Sequence, residues 1–400
     1  MTPASPAANQ AVVVATARTP IGTAYKGSLV EMDGMVLGAL AVREVLRRSG
    51  IPAEHFDDVQ LGETLQGGGD IARHAAIEAG LQDVAGVAHN RHCASGLTSL
   101  SLAAGSIMSG MDDVVVAGGV QSTSNIPMTT RRDPVSGELE EGWLSPTHPG
   151  TPDAPARDMT VTVGWNTAQL VGISREEMDA WALRSHQRAV DGIDSGAFEE
   201  EIFAVEATRG GESFTFAEDE HPRRDTDMDR LASLKPLHPE LEGFSITAGN
   251  SSGINDAAAA VVMTSRRFAE THDLEPLAVV RSWVSVGVPP AETGLAPIKA
   301  IPQALERAGL GTADVDLWEI NEAFASVPIA AVRALGLDEE VVNPLGSGCS
   351  LGHPVAASGT RMAITLSHEL RRRGGGVAVA AMCAGGGMGA ALVLEVPEPQ

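Results

Sequence analysis

In a chain of 400 residues, three cysteines, Cys93, Cys349 and Cys383, stand far apart with no CxxC pair. That spacing indicates neither a disulfide framework nor a zinc site, and it leaves free-thiol chemistry open. Cys93 lies in "NRHCASGLTSL", ahead of Leu97, Leu100, Ala104, Ile107 and Met108 at helical spacing, with "GMDD" ending the run. It reads as a helix N-terminal residue, where free N–H groups and the macrodipole favour a thiolate, the nucleophilic form. On these residues alone the competing reading is a small buried cysteine.

Further chemistry lies downstream. "WEINEAFA" puts Asn321 just after a strand, "CSLGHPVAASG" puts His353 before a helix, and "MCAGGGMG" puts Cys383 at the end of a strand. Sites in open α/β sheets form at strand carboxyl ends, and all three positions fit that edge together with Cys93. A lone histidine is more often structural, but one beside a cysteine can raise its thiolate fraction and later shuttle a proton. A second cysteine can act as acid or base if its pKa is brought near the working pH. "GGGMGA" at 385–390 spells G-x-G-x-x-A, yet a strand-like "ALVLEV" follows and no acidic ribose partner does, so a dinucleotide fingerprint is rejected. These glycines instead let backbone N–H groups approach a ligand.

The elements that must position these residues form a pattern heard twice. Residues 11–16, 57–62 and 113–119 read as strands, with "LGALAVREVLRRSG" and the Cys93 helix between them. The order recurs in "LAVVRSWVSVG" (277–287), "APIKAIPQALERAG", "DVDLWEINEAF" (314–324), "ASGTRMAITLSHELRRRG" and "VAVAAMCAGG" (377–386). Such alternation predicts a mostly parallel sheet covered by helices on both faces, in two copies. The expected division is 1–120 plus 250–273 as one α/β half, 121–249 as an inserted loop domain, and 274–400 as the second half. The insertion is rich in Pro, Gly and charge, and holds a helix capped by Ser174 with Glu177 as capping-box partner.

Composition narrows the function classes. A hydrophobic fraction of 43% supports large cores, while a net charge of −24 argues against a general nucleic-acid binder and leaves an anionic ligand only a local basic patch. "MTPASPAANQ" has no basic-then-apolar leader pattern, no apolar stretch approaches spanning length, and "PEPQ" is no C-terminal address motif. The expected setting is the cytoplasm.

"NRHCASG", "TAGNSSGINDAAAA" (247–260), "NEAFA", "LGHPVAASG" and "CAGGGMG", in this order, resemble the thiolases, acetyl-CoA C-acyltransferases, and the likeness runs from "ATARTPIG" at 15–22 to the end. The resemblance implies a duplicated five-layered α-β-α-β-α fold with an inserted loop domain that binds coenzyme A. It implies that Cys93 is the acyl-accepting nucleophile, that His353 activates it, and that Cys383 exchanges the α-proton of acetyl-CoA. Asn321, through a water, and His353 would hold the thioester oxygen during enolate formation, and the N–H groups of Cys93 and Gly385 would form a second oxyanion hole. Ser252, Arg223, Phe324, Thr293 and Met159 would line the substrate and coenzyme A site, with Arg223 and Arg224 supplying the local basic patch. Coenzyme A and acyl-CoA enter as substrates, with no permanently bound cofactor, no metal, and a homodimer or homotetramer as the assembly. Fatty acid metabolism is the implied setting.

Departures from the family pattern are also visible. Where "GGAIALGHPxGASG" is usual, "GSGCSLGHPVAASG" puts Ser347, Cys349 and Ala356 at altered positions, and Cys349 reads as a packing bystander. Trp165 in "VGWN" replaces a glutamate, "DMTVT" lacks a histidine, and Thr293 stands where biosynthetic members carry a pocket methionine. Two alternatives stay open: another condensing enzyme of the superfamily, which the second thiol Cys383 disfavours, and a non-catalytic acyl-CoA or lipid-binding relative, which the retained polar groups disfavour.

Overall fold

The computed structural model describes residues 8–398. The reading of the first residues as lacking a leader, and of Pro399 and Gln400 in the terminal "PEPQ", lies outside the described residues. The first half runs β1 (Ala11–Arg18), α1 (Gly34–Ser49), β2 (Asp58–Glu63), α2 (Ile71–Glu78), β3 (Ala85–His89), α3 (Ser95–Ser109) and β4 (Val114–Ser122). After an irregular stretch containing α4 (Arg175–Asp194), the chain returns as β5 (Asn255–Ser265). The second half follows as β6 (Ala278–Gly287), α5 (Ala296–Ala308), β7 (Leu317–Ile320), α6 (Ser326–Leu335), α7 (Val355–Arg372), β8 (Gly376–Ala384) and β9 (Met388–Val396).

These nine strands, with the short Gly22–Thr23 strand against β5, form one sheet ordered β7-β8-β9-β6-β1-β5-β4-β2-β3. The duplication is visible in that order. β1-β5-β4-β2-β3 is matched by β6-β9-β8-β7, and Val342 bridges Trp318 in the place that β3 holds in the first half. The halves join where β1 pairs with β6 through Val12–Val279 and Val13–Ala278. The sheet is mixed, which corrects the expectation of a mostly parallel one: β2–β3, β2–β4 and β7–β8 are parallel, and the remaining pairs are antiparallel. The cause is local at β8–β9, where Gly386 (φ 87°) and Gly387 (φ 77°) make a tight hairpin that forces antiparallel pairing.

Three cores alternate with the sheet halves. One lies under α1 and α2, one under α5 and α6, and the middle one is built on α3 and α7 between both halves, giving five layers. α3 and α7 cross closely because glycines face the contact. A Cβ at Gly96 would sit 2.7 Å from the Thr360 nitrogen, and one at Gly359 would sit 2.5 Å from the Leu97 nitrogen. That crossing brings the starts of both central helices to one side of the sheet. In the insertion, α4 begins at Ser174, whose hydroxyl accepts from the Glu177 N–H while the Glu177 carboxylate accepts from the Ser174 N–H. Among the described residues no helix is long and apolar enough to cross a membrane.

Candidate active site

Cys93 and His353 occupy equivalent places, each two residues ahead of a central helix, α3 and α7. Cys383 is the penultimate residue of β8, Gly385 opens the hairpin turn, and Asn321 follows β7 directly. Cys93, His353, Cys383 and Gly385 line one cavity of about 540 Å³ with Met159, Arg223, Ser252 and Phe324. Asn321 is fully buried behind that wall. Its Oδ1 and Nδ2, and His353 Nε2, have no hydrogen-bond partner among the described residues, unusual for three buried polar atoms.

The imidazole tautomer follows from its other nitrogen. His353 Nδ1 lies 2.6 Å from Ser358 Oγ, and the Ser358 hydroxyl donates to the Pro354 carbonyl at 3.2 Å. Nδ1–H therefore donates to Ser358, which leaves Nε2 with a free lone pair, the form a general base needs. Burial, then the nearby Arg361 guanidinium, lower the His353 pKa to about 4, so the ring is neutral at pH 7. The His353 N–H donates to Asn255 Oδ1 at 3.0 Å, and Gly352 at φ 98° lets Asn255 approach, since a Cβ there would lie 2.3 Å from that oxygen.

The state of Cys93 differs from the expected thiolate. Cys93 stands ahead of the helix instead of inside its first turn, and although part of its surface faces the cavity, desolvation pushes its thiol from 9.0 to about 11. The backbone N–H groups of Gly385 and Cys93 pull the other way. Helix-end electrostatics contribute about 0.3–1 kcal/mol, whereas moving the pKa from 9.0 to about 11 corresponds to roughly 3 kcal/mol. Burial wins, and the resting pair is a thiol beside a neutral imidazole. Burial, and then the Cys93 sulfur, raise the Cys383 thiol as well.

Other expected residues divide. Phe324 packs where a Cβ on Gly164 would come within 2.7 Å of its ring, which accounts for the glycine in "VGWN". Ser252 is held by its N–H donating to the Ala323 carbonyl at 2.9 Å, and Met159 Sδ lies beside Gly385. Arg223 lines the cavity, but Arg224 turns to Asp194 at 2.7 Å, so the expected two-arginine patch reduces to one arginine. Burial lowers His186 to about 3 and His221 to about 4, so neither imidazole adds charge there at pH 7. Thr293 departs from expectation: it is fully buried away from the cavity wall, donating to the Pro290 carbonyl at 2.6 Å and accepting from the Gly387 N–H at 3.0 Å. Trp165 lies off the wall too, with its ring 5.0 Å from Phe244. Cys349 is buried, its N–H bound to Glu322. Ser358, Asn255 and Glu322 were not singled out from sequence, although each sits inside a quoted motif.

Two family descriptions match nearly the whole chain, "Thiolase, N-terminal domain" over residues 11–267 and "Thiolase, C-terminal domain" over 274–396. The chain is 41% identical to a 3-ketoacyl-CoA thiolase of Bacillus subtilis, over 97% of this chain and 99% of that one. It is 40% identical to a probable acetyl-CoA acetyltransferase of Escherichia coli, over 97% and 99%. Human mitochondrial 3-ketoacyl-CoA thiolase in complex with CoA superposes with a TM-score of 0.88 at 34% identity, covering 97% of this chain and 98% of that one. With two matched halves, relatives of equal length and a shared fold, the chain belongs to the thiolase family and is an acyltransferase.

Proposed function

We propose that the protein interconverts a 3-ketoacyl-CoA plus coenzyme A with acetyl-CoA plus a shortened acyl-CoA, through an acyl group carried on Cys93. The observation that carries this reading is one apolar cavity holding two thiols, an imidazole with a free Nε2 lone pair, and the Gly385 amide. His353 takes the Cys93 proton only as the sulfur attacks, because each group prefers its neutral form at rest. The N–H groups of Cys93 and Gly385, aimed at that sulfur, receive the developing oxyanion. Asn321 and His353 hold the thioester oxygen of acetyl-CoA while Cys383 exchanges its α-proton. Once acylated, Cys93 can no longer ionise, so no thiolate on that sulfur can oppose one on Cys383, and burial is left as the influence that disfavours it.

Coenzyme A would lie against residues 121–249, with Arg223 toward its phosphates and Ser252, Phe324 and Met159 along the pantetheine and acyl part. The division into 1–120 plus 250–273, 121–249 and 274–400 belongs to this reading, as do a cytoplasmic setting, fatty acid metabolism and a homodimer or homotetramer. Bacterial relatives, a 3-ketoacyl-CoA thiolase and an acetyl-CoA acetyltransferase, support the cytoplasmic setting. No step calls for a metal or a resident cofactor.

Intact-mass and peptide mapping after mixing with acetyl-CoA should place an acetyl group on Cys93. Cys383→Ser should still acylate Cys93 while losing thiolysis of acetoacetyl-CoA by several orders of magnitude. An adduct on Cys349, or native turnover by Cys383→Ser, would overturn these assignments.

A further inference from the structure

We infer that Glu322, the residue after Asn321, is a positioning residue: its buried carboxylate clamps the loop bearing Asn321 to α4 and to the short segment leading into His353. Glu322 is 1% exposed and accepts four hydrogen bonds. Oε1 receives Trp181 Nε1–H and Asn343 Nδ2–H, both at 2.8 Å. Oε2 receives the Ser185 hydroxyl at 2.6 Å and the Cys349 backbone N–H at 3.1 Å. Two donors on each oxygen satisfy a carboxylate, which would otherwise be costly at this depth.

The four donors come from three separate segments. Trp181 and Ser185 are four residues apart on one face of α4. Asn343, in the left-handed region at φ 52°, acts as a substitute strand partner: its Oδ1 accepts from the Ile320 N–H at 2.8 Å and its Nδ2 donates to the Ile320 carbonyl at 2.9 Å. Residues 320 and 322 are thus held on either side of Asn321. Cys349 lies in the short helix Gly348–Leu351, from which the chain passes through Gly352 to His353. Gly348 permits the approach, because a Cβ there would lie 2.6 Å from the Glu322 carbonyl.

The altered residues of "GSGCSLGHP" gain a purpose here. Ser350 Oγ lies 2.7 Å from Ser185 Oγ, extending the Glu322 network. Ser347 donates to Glu319 Oε1 at 2.8 Å, and Glu319 is paired with buried Arg361 of α7. Two carboxylates flanking Asn321 therefore grip the segment before His353. His353 is also held by its own bonds to Ser358 and Asn255, but the Asn321 side chain has no partner among the described residues, so its place relative to His353, with which it must reach one thioester oxygen, depends on this grip.

The inference rests on the proposed roles of Asn321 and His353, so the test reads their step apart from acyl transfer. Deuterium uptake from D2O into the methyl group of acetyl-CoA follows enolate formation, and intact mass follows acetylation of Cys93. Glu322→Gln replaces one carboxylate oxygen with an NH2 group, which sets a donor against two of the four donors. It should slow deuterium uptake on the order of a hundredfold, with KM near native and Cys93 acetylation slowed far less. Ser185→Ala, a smaller change that leaves Glu322 in place, should slow uptake about tenfold. Equal slowing of both steps in proportion to a loss of folded protein by circular dichroism, or no slowing, would overturn the positioning role. Asn321→Ala is the control. If it loses uptake while Glu322→Gln and Ser185→Ala keep it, the clamp is refuted alone; if it keeps uptake, the site reading falls and the clamp with it.

Discussion

Cys93 must become a sulfur anion in a place that penalises anions, and this shapes how its reactivity depends on pH. With a thiol pKa raised to about 11 and His353 lowered to about 4, the proton stays on sulfur across the physiological range. The thiolate fraction below such a pKa grows about tenfold per pH unit. Alkylation of Cys93 by iodoacetamide in the substrate-free enzyme should therefore climb steadily from pH 7 to 9. A plateau by pH 8, read by peptide mapping, would mean that the Gly385 and Cys93 amides outweigh desolvation. The identities of Cys93, His353, Cys383 and Asn321 were legible because each stands in a distinctive motif at the end of an element. The charge state was not, since it depends on what surrounds the sulfur, and the surroundings come from segments hundreds of residues apart. Thr293 teaches the same lesson. The family resemblance implies a pocket wall there, but its hydroxyl donates to the Pro290 carbonyl, accepts from the Gly387 N–H and turns inward.

At the scale of elements, the active site depends on how closely α3 and α7 cross, since each carries a reacting residue just ahead of its first turn. Gly359→Ala gains up to about 1 kcal/mol of helix propensity. Against that gain, the new Cβ would lie 2.5 Å from the Leu97 backbone, which no flexible side chain can relieve. Overpacking of this kind costs about 1–3 kcal/mol, so the variant should melt a few degrees lower and lose kcat as His353 moves away from Cys93. An unchanged melting temperature with native kcat would show that the helices can part without consequence. Strand and helix order could be read from periodicity of two and of about 3.6, and the Ser174 cap from its Glu177 partner. Strand direction could not, because it is decided by connections: the Gly386–Gly387 hairpin, and a long excursion before β5. Asn343 left no signal either, since its role as a substitute strand partner exists only once β7 has ended beside it.

Taken whole, the molecule carries a net charge of −24 while its proposed substrate is a polyanion. At a distance the two repel, and only within the cavity does Arg223 offer attraction. Raising ionic strength from about 0.01 to 0.15 M shortens the screening length from about 30 to 8 Å, which removes the distant repulsion more than the contact with Arg223. kcat/KM for acetoacetyl-CoA should therefore rise over that range. Arg223→Ala should lower kcat/KM throughout, mainly through KM. A steady fall with salt in the unaltered enzyme would mean that local attraction dominates the approach.

β5 is the central strand of the first half, wedged between β1 and β4, and it pairs Ala11 with Ser265. During synthesis β1 and β4 leave the ribosome long before β5 exists. Until then both expose edges of valine and alanine with unpaired backbone groups, the kind of surface that seeks another strand. The first half of the sheet cannot close as a local unit: its completion waits for the chain to pass residue 265, and until then its open strand edges are free to pair wrongly.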